Sequence, residues 1–131
     1  MIYYKTKRIE DEFKGDNTIK YELKQVIYML SLYCELEFGK DVVITELYRT
    51  QSEQDFYYKD RDTYQRKPWK SVHQFGRGAD IRSRNFTENQ ITKIIAFLNL
   101  KTYKSGSKYQ TAIYHNIGMG SHIHIQTGIN I

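Results

Sequence analysis

Two short stretches of the chain contain residues that can bind a metal ion. The first holds His73 and Asp80, and the second, near the end of the sequence, holds His122 and His124. Imidazole nitrogens and a carboxylate oxygen are ligands that a catalytic zinc ion prefers, and such sites leave a fourth position for water. The pairing of these two stretches makes zinc-dependent hydrolysis the leading hypothesis.

The spacing within the first stretch favours a turn over a helix. Seven positions separate His73 from Asp80, and Gly76 and Gly78 lie between them. Because two glycines weaken a helix, we expect a tight loop that leads into a strand. The glycines allow the backbone to fold closely, so both side chains can converge on one ion.

The second stretch has the alternation of a strand. His122 and His124 are two positions apart and therefore project from the same face, whereas Ile123 and Ile125 point to the other face and into the core. One histidine can bind a metal ion while the other faces a substrate cavity. The spacing alone leaves open which histidine has which role.

Composition indicates a single domain that covers residues 1–131. Hydrophobic residues make up 40% of the chain and charged residues 27%, and 12 tyrosines argue against extended disorder. The single cysteine, Cys34, cannot form an internal disulfide and is expected to be a small buried residue in a helix.

Charge and apolar pattern narrow the range of partners and locations. The net charge is +5, which favours anionic partners, but the basic residues are scattered and no nucleic-acid-binding motif is present. We therefore expect no specific nucleic-acid partner.

The first residues lack an apolar segment of the signal-peptide type, and no apolar stretch is long enough to span a bilayer. These features predict synthesis in the cytoplasm without a signal peptide. The oligomeric state stays open, and a monomer fits the data.

Apolar spacing and capping residues predict three helices. The first begins near Asp16, Asn17 or Thr18, where helix-starting residues cluster, and ends at Gly39. Two capping boxes follow. Thr50 and Glu53 predict a helix from about Gln51, and Thr87 and Gln90 predict one through Leu98. No element is predicted before Gly15.

Alternating and β-branched segments predict strands. They cover residues 41–47, a short segment at Ile81, and residues 111–115 and 122–127, of which the last two are joined by a turn. The fold class is therefore α+β, with a small antiparallel sheet flanked by helices.

Three segments together resemble a known enzyme family. The run Ser71-x-His73-x-x-Gly76-x-Gly78-x-Asp80 resembles the Ser-x-His-x-x-Gly-x-Ala-x-Asp signature of the zinc D-Ala-D-Ala carboxypeptidase and endolysin family. Gly78 replaces the usual alanine. His122-x-His124 resembles the closing metal-ligand strand of that fold, which Hedgehog signalling domains share. Residues 44–50 resemble the family's strand-to-helix segment, which contains an arginine.

The resemblance implies a Hedgehog/DD-peptidase-like fold and a set of roles for the site. His73, Asp80 and His124 would ligate Zn²⁺, Arg49 would stabilise the oxyanion, and Ser71 would support the site. The implied activity is hydrolysis of a peptide bond in the peptidoglycan stem peptide, by a carboxypeptidase or an endopeptidase. A phage or prophage lysis enzyme, acting on the cell wall once released, fits this description.

One departure from the family concerns the general base. Many members carry a Glu or Asp three positions before the last histidine ligand, where this chain has Ser121. A neutral imidazole accepts a proton near neutral pH, so His122 is our candidate base. The roles of His122 and His124 can also be exchanged. Glu46 is the second candidate base, although we favour its interpretation as a surface carboxylate on an edge strand. The alternative function is a zinc-binding structural or binding domain without catalysis.

Overall fold

Three helices and five strands form the described part of the chain. The computed structural model describes residues 1–15, 18–48, 73, 76–100, 110–117 and 120–127. The strands are β1 (Ile2–Tyr4), β2 (Val42–Glu46), β3 (Gly78–Arg82), β4 (Ala112–Ile117) and β5 (Gly120–Gln126). The helices are α1 (Lys7–Lys14), α2 (Tyr21–Phe38) and α3 (Glu88–Asn99). The predicted α+β class is confirmed, whereas the more specific Hedgehog/DD-peptidase-like fold stays a prediction.

The sheet is mixed rather than antiparallel. Its strands lie in the order β1-β2-β3-β5-β4, and β1 pairs with β2 in parallel while the other neighbours are antiparallel. The four strands that the sequence predicts pair antiparallel as expected, and the sheet is mixed because the unpredicted strand β1 adds to it in parallel. The physical reason is the crossover formed by α1 and α2, which returns the chain to the sheet in its original direction.

Strands β3 and β5 divide their side chains between the core and the opposite face. Ile81 lies across from Ile123, and Ala79 lies across from Ile125. All four are fully buried and join the apolar residues of the three helices in one core. The alternate residues of both strands therefore project away from this core, which is where the predicted metal ligands lie.

Both predicted helices that fall within the described residues are present, but the first of them begins later than predicted. Helix α2 ends at Gly39, whose φ of 65° and N–H bonds to the Cys34 and Glu35 carbonyls close the helix as expected. Its start differs, because Lys20 occupies the N-cap and makes no side-chain capping bond. Thr18 is therefore not the cap, and residues 16 and 17 lie outside the described residues.

Helix α3 begins with the capping box that the sequence predicts. The Thr87 side chain accepts from the backbone N–H of Gln90, and the Gln90 side chain accepts from the backbone N–H of Thr87. Ile91, Ile94 and Leu98 face the core. The helix is therefore anchored by local capping and by an apolar face at the same time.

The first fourteen residues contain two elements that the sequence did not predict. Helix α1 buries only Ile9 and Phe13, one turn apart, and its other positions are mostly charged. Its exposed pairs include Lys7 with Asp11 at 2.8 Å. Strand β1 has only three residues, so neither element has enough apolar periodicity to be recognised.

Two predicted features lie wholly or partly outside the described residues. They are the helix from about Gln51 and the turn that joins the last two predicted strands, of which residues 118 and 119 are not described. Within the described ranges, no helix has both the length and the apolar character needed to cross a membrane.

Candidate metal centre

The pairing of β3 with β5 brings the two sequence stretches together. Asp80 lies directly opposite His124, and Arg82 lies directly opposite His122. Because residues that face each other across antiparallel strands project to the same side, all four side chains leave the face away from the core. The prediction that the two histidines share a face is confirmed.

His73 reaches the same face through a turn that only glycine allows. The N–H of Gly76 donates to the His73 carbonyl at 3.4 Å, and Gly76 has a φ of 69°. A Cβ atom at this position would overlap the carbonyl oxygen of Thr18. The Gly76 carbonyl in turn accepts from the N–H of Lys20 at 2.8 Å. This hydrogen bond holds the turn against the segment that precedes α2, in agreement with the tight loop that the sequence predicts.

The imidazole of His73 is oriented by the end of β2. Its Nδ1 lies 2.6 Å from the Leu47 carbonyl oxygen, which can only accept, so Nδ1 carries the proton. The other ring nitrogen, Nε2, lies 3.5 Å from Oδ1 of Asp80. In a neutral ring this Nε2 has a lone pair, so the backbone of Leu47 holds His73 in the tautomer that a metal ligand needs.

His124 has oxygen atoms next to both ring nitrogens. Nε2 lies 3.2 Å from Oε1 of Gln126, and the Gln126 amide is oriented by its own bond to the Gln110 carbonyl at 2.9 Å. Nδ1 lies 2.9 Å from Oδ1 of Asp80. An amide oxygen accepts hydrogen bonds, so Nε2 of His124 donates to Oε1 of Gln126. In a neutral ring Nδ1 then carries no proton, and its lone pair points at the Asp80 carboxylate. In that tautomer Nδ1 of His124 and Oδ1 of Asp80 present lone pairs to each other, which is the arrangement that two ligands of one cation need.

The three side chains can hold a metal ion, and two of the distances between their ligand atoms can be compared with those of a zinc site. One ligand atom each from His73, Asp80 and His124 lies within 4.8 Å of the others. At zinc bond lengths of about 2.0–2.2 Å, donor atoms of a tetrahedral site are about 3.3–3.6 Å apart. The distance of 3.5 Å between His73 and Asp80 falls in this range, and that of 2.9 Å between His124 and Asp80 is slightly shorter. Two nitrogens and one oxygen leave the fourth position that catalytic zinc sites keep open.

Asp80 is ionised although it is buried. Burial raises the pKa of its carboxyl, but when both nitrogens of the neighbouring imidazoles are protonated, the charge of His73 and hydrogen bonds from His124 and His73 lower it by more. The net result is a pKa well below the usual range of an aspartate. The carboxylate therefore offers a full negative charge to a cation at neutral pH.

His122 lies next to this group rather than within it. Its Nε2 is 3.5 Å from Oδ1 of Asp80, the oxygen that His73 and His124 also face. The side chain is about 10% exposed and lines a cleft that opens beside the metal-binding group. The structure therefore groups His124 with His73 and Asp80, and it leaves His122 between this group and the cleft.

Glu46 is not the surface residue that we favoured. Strand β2 lies between β1 and β3, and the Glu46 side chain is 13% exposed, with its carboxylate 3.5 Å from the Arg8 guanidinium. The register shifts between Ile44, which pairs with Ile81, and Glu46, which pairs with Asp80. This irregularity brings Glu46 into register with Asp80. Because β2 is an inner strand and the side chain is mostly buried, the interpretation of Glu46 as an edge-strand surface carboxylate is wrong.

Two residues with predicted roles lie outside the described residues, namely Arg49 and Ser71. Conversely, sequence reasoning missed Gln126, which orients His124. Its signal was present, since Gln126 continues the alternation of His122 and His124 along one strand face. The sequence also did not show that Arg82 lies opposite His122, because this position depends on strand pairing.

Comparisons of the chain with models of known protein families, with curated proteins and with solved structures gave no match. The likeness to zinc carboxypeptidases and endolysins therefore rests on the motif residues of this chain. The structure adds a buried His/Asp/His group that can hold a metal ion.

Proposed function

We propose that the chain is a zinc-dependent peptidase that hydrolyses a peptide bond in the peptidoglycan stem peptide. The observation that carries the proposal is the convergence of His73, Asp80 and His124 at the face of the sheet that points away from the core. A zinc ion held by such a set polarises a carbonyl group and supplies hydroxide at neutral pH. A phage or prophage lysis enzyme is the setting that the motif resemblance favours.

The side chains have distinct roles in this proposal. Asp80 supplies a negative charge, and Leu47 and Gln126 orient the imidazoles of His73 and His124 through hydrogen bonds. His122 accepts the proton of the attacking water. Its position between the metal-binding group and the cleft supports this assignment, because a base must contact both water and substrate.

Two further roles follow from the resemblance alone. Arg49 stabilises the oxyanion that develops on the substrate carbonyl, and Ser71 supports the site. A fixed guanidinium aimed at a developing negative charge contributes a few kcal/mol to transition-state stabilisation. Both assignments concern residues outside the described part of the chain.

The second candidate is a zinc-binding structural or binding domain that does not catalyse. Ser121 favours it, since a serine stands where many members of the resembling family carry the general base. The Ser121 side chain is exposed, and its carbonyl accepts from the Ser83 hydroxyl at 3.1 Å. The two candidates share the metal site and differ only in whether a proton acceptor acts there.

Release of new amino groups from purified peptidoglycan tests the proposal. We expect release by zinc-loaded protein, loss of activity after zinc removal, and recovery on adding zinc back. Asp80→Asn should abolish release, and Asp11→Asn, a matched change on the exposed surface of α1, should not. Zinc binding without release would favour the structural domain. The absence of both would contradict the metal site itself.

A further inference from the structure

A cleft of about 300 Å³ opens at the end of β3, beside the metal-binding group. Three of its lining side chains are cations, and we call it the cationic cleft after them: Lys5, Arg82 and Arg84. Hydroxyl-bearing residues line it as well, and His122 lies at the side nearest Asp80. The cleft is thus both positively charged and able to form hydrogen bonds.

The backbone fixes where these cations stand. Lys5 follows β1 and donates its N–H to the Ile44 carbonyl at 2.9 Å. Arg82 is the last residue of β3 and lies opposite His122. Arg84 follows in the adjoining turn and is exposed. Three cations from two separate segments therefore converge on one small cavity.

The charges around the cleft indicate which kind of ligand it can bind. Among the described residues, no carboxylate forms an ion pair with Lys5, Arg82 or Arg84. Like charges gathered in a recess repel one another, and this repulsion is relieved when an anion binds. Guanidinium groups suit oxyanions in particular, because their planar donors match the oxygens of carboxylate and phosphate groups.

We propose that the cationic cleft is a binding site for an oxyanion, which its ligand carries as a carboxylate or a phosphate group. Arg82 places this site next to His122, so an anion bound here lies beside the metal-binding group. The ligand of the chain is accordingly an acidic molecule. The proposal does not depend on hydrolysis, since anion binding can be measured on metal-free protein.

Titration of metal-free protein with inorganic phosphate, and separately with succinate, tests the site. Metal is removed with a chelating resin, because a soluble polycarboxylate chelator would compete for the cleft. Backbone amide chemical shifts at Arg84 and Ser121 are followed at low ionic strength and slightly basic pH. Both anions then carry about two negative charges, so a difference between them reports on geometry rather than charge. We expect saturable binding in the millimolar range that weakens as salt is added.

Two variants with the same change in charge separate the cleft from the overall charge. Arg84→Gln should weaken binding by about tenfold, as expected for the loss of a charged hydrogen-bond donor. Lys93→Gln removes a cation from the exposed side of α3 and should leave binding unchanged. Arg84 and Lys93 are both exposed, so neither change should unfold the protein.

Each outcome of the titrations decides a point. Tighter binding of succinate identifies a carboxylate ligand, and tighter binding of phosphate identifies a phosphate ligand. Failure of both anions to bind overturns the proposal. Equal weakening by Arg84→Gln and Lys93→Gln also overturns it, because the attraction would then come from net charge alone. None of these results bears on peptidoglycan cleavage, so the two proposals can fail separately.

Discussion

His124 lies directly across from Asp80 on the neighbouring strand, and its Nδ1 is 2.9 Å from Oδ1 of Asp80. The two residues are joined by the register of a sheet and not by a flexible loop. A metal ligand pair on paired strands is held with little freedom, so binding costs little conformational entropy. His73 completes the group from the turn before β3.

The metal site predicts one zinc ion per chain. Elemental analysis of protein purified without chelator should find it, and His73→Ala and Asp80→Ala should each remove most of the metal, because two ligands rarely hold zinc tightly. Asp11→Ala serves as the control for loss of an aspartate. Full zinc occupancy in both site variants would show that these residues are not ligands.

The two histidines of β5 should respond differently to substitution. His122→Ala should keep zinc and lower the rate of peptidoglycan cleavage by about 10²–10⁴-fold, the usual contribution of a general base. His124→Ala should lose zinc. The reverse pattern would exchange the two roles. Full activity in His122→Ala would make Glu46→Gln the next variant to assay, since Glu46 is in register with Asp80.

Gln126 should control metal affinity without touching the metal. Its Oε1 accepts from Nε2 of His124, and residues of this kind typically contribute 10–100-fold in affinity. Gln126→Ala should weaken zinc binding by about this factor in competition with a chromophoric chelator. Gln126→Glu retains an acceptor and should preserve affinity. Equal affinities in all three proteins would show that the contact does not orient the ring.

Gly76 and Gly39 form a matched pair for testing the turn before the site. Both have positive φ, but a Cβ at Gly76 meets the Thr18 backbone, whereas at Gly39 nothing lies within 4 Å. Gly39→Ala should lower the free energy of unfolding by about 1 kcal/mol, the cost of the backbone conformation. Gly76→Ala should lower it by about 3 kcal/mol, because overpacking adds to that cost. Urea denaturation measures both, and equal losses would argue against the close contact.

Cys34 should make the protein less stable at alkaline pH. Burial raises the pKa of its thiol from 9.0 to about 12. Below pH 9 the thiol is protonated in both states. Above pH 9 the unfolded chain loses this proton and the folded chain keeps it, so the free energy of unfolding falls by about 1.4 kcal/mol per pH unit until about pH 12.

The comparison that isolates this effect is between the chain and Cys34→Ala. The variant should show a shallower decline in stability between pH 9 and 11, measured by urea denaturation, since other groups titrate equally in both proteins. In native protein the thiol should also resist alkylation. Identical slopes would show that burial does not hold Cys34 in its protonated form.

Local patterns in the sequence were enough for some of the site. Alternation placed His122 and His124 on one strand face, and the glycines of the first stretch predicted the turn that positions His73. These inferences succeed because the geometry depends on neighbouring residues only. The same holds for the capping box at Thr87, whose partner is three positions away.

Relationships between distant segments could not be derived from the sequence. That Asp80 faces His124, and that Glu46 comes into register with Asp80, depends on strand order and on an irregular pairing between β2 and β3. Nothing near Glu46 in the sequence marks that irregularity. Helix α1 was missed for another reason, because its stability comes from Ile9 and Phe13 packing into the core rather than from its own composition.

The position of β3 in the sheet has a consequence for synthesis of the chain. β3 is the central strand, yet its partner β5 follows it only after α3 and β4 have been made. During the roughly 2–8 s needed to translate the intervening residues, one hydrogen-bonding edge of β3 has no strand to pair with. Charged side chains discourage such an edge from joining another chain. Asp80 and Arg82 occupy two of its five positions, so residues of the candidate metal centre and of the cleft also give this strand the charges that disfavour such pairing.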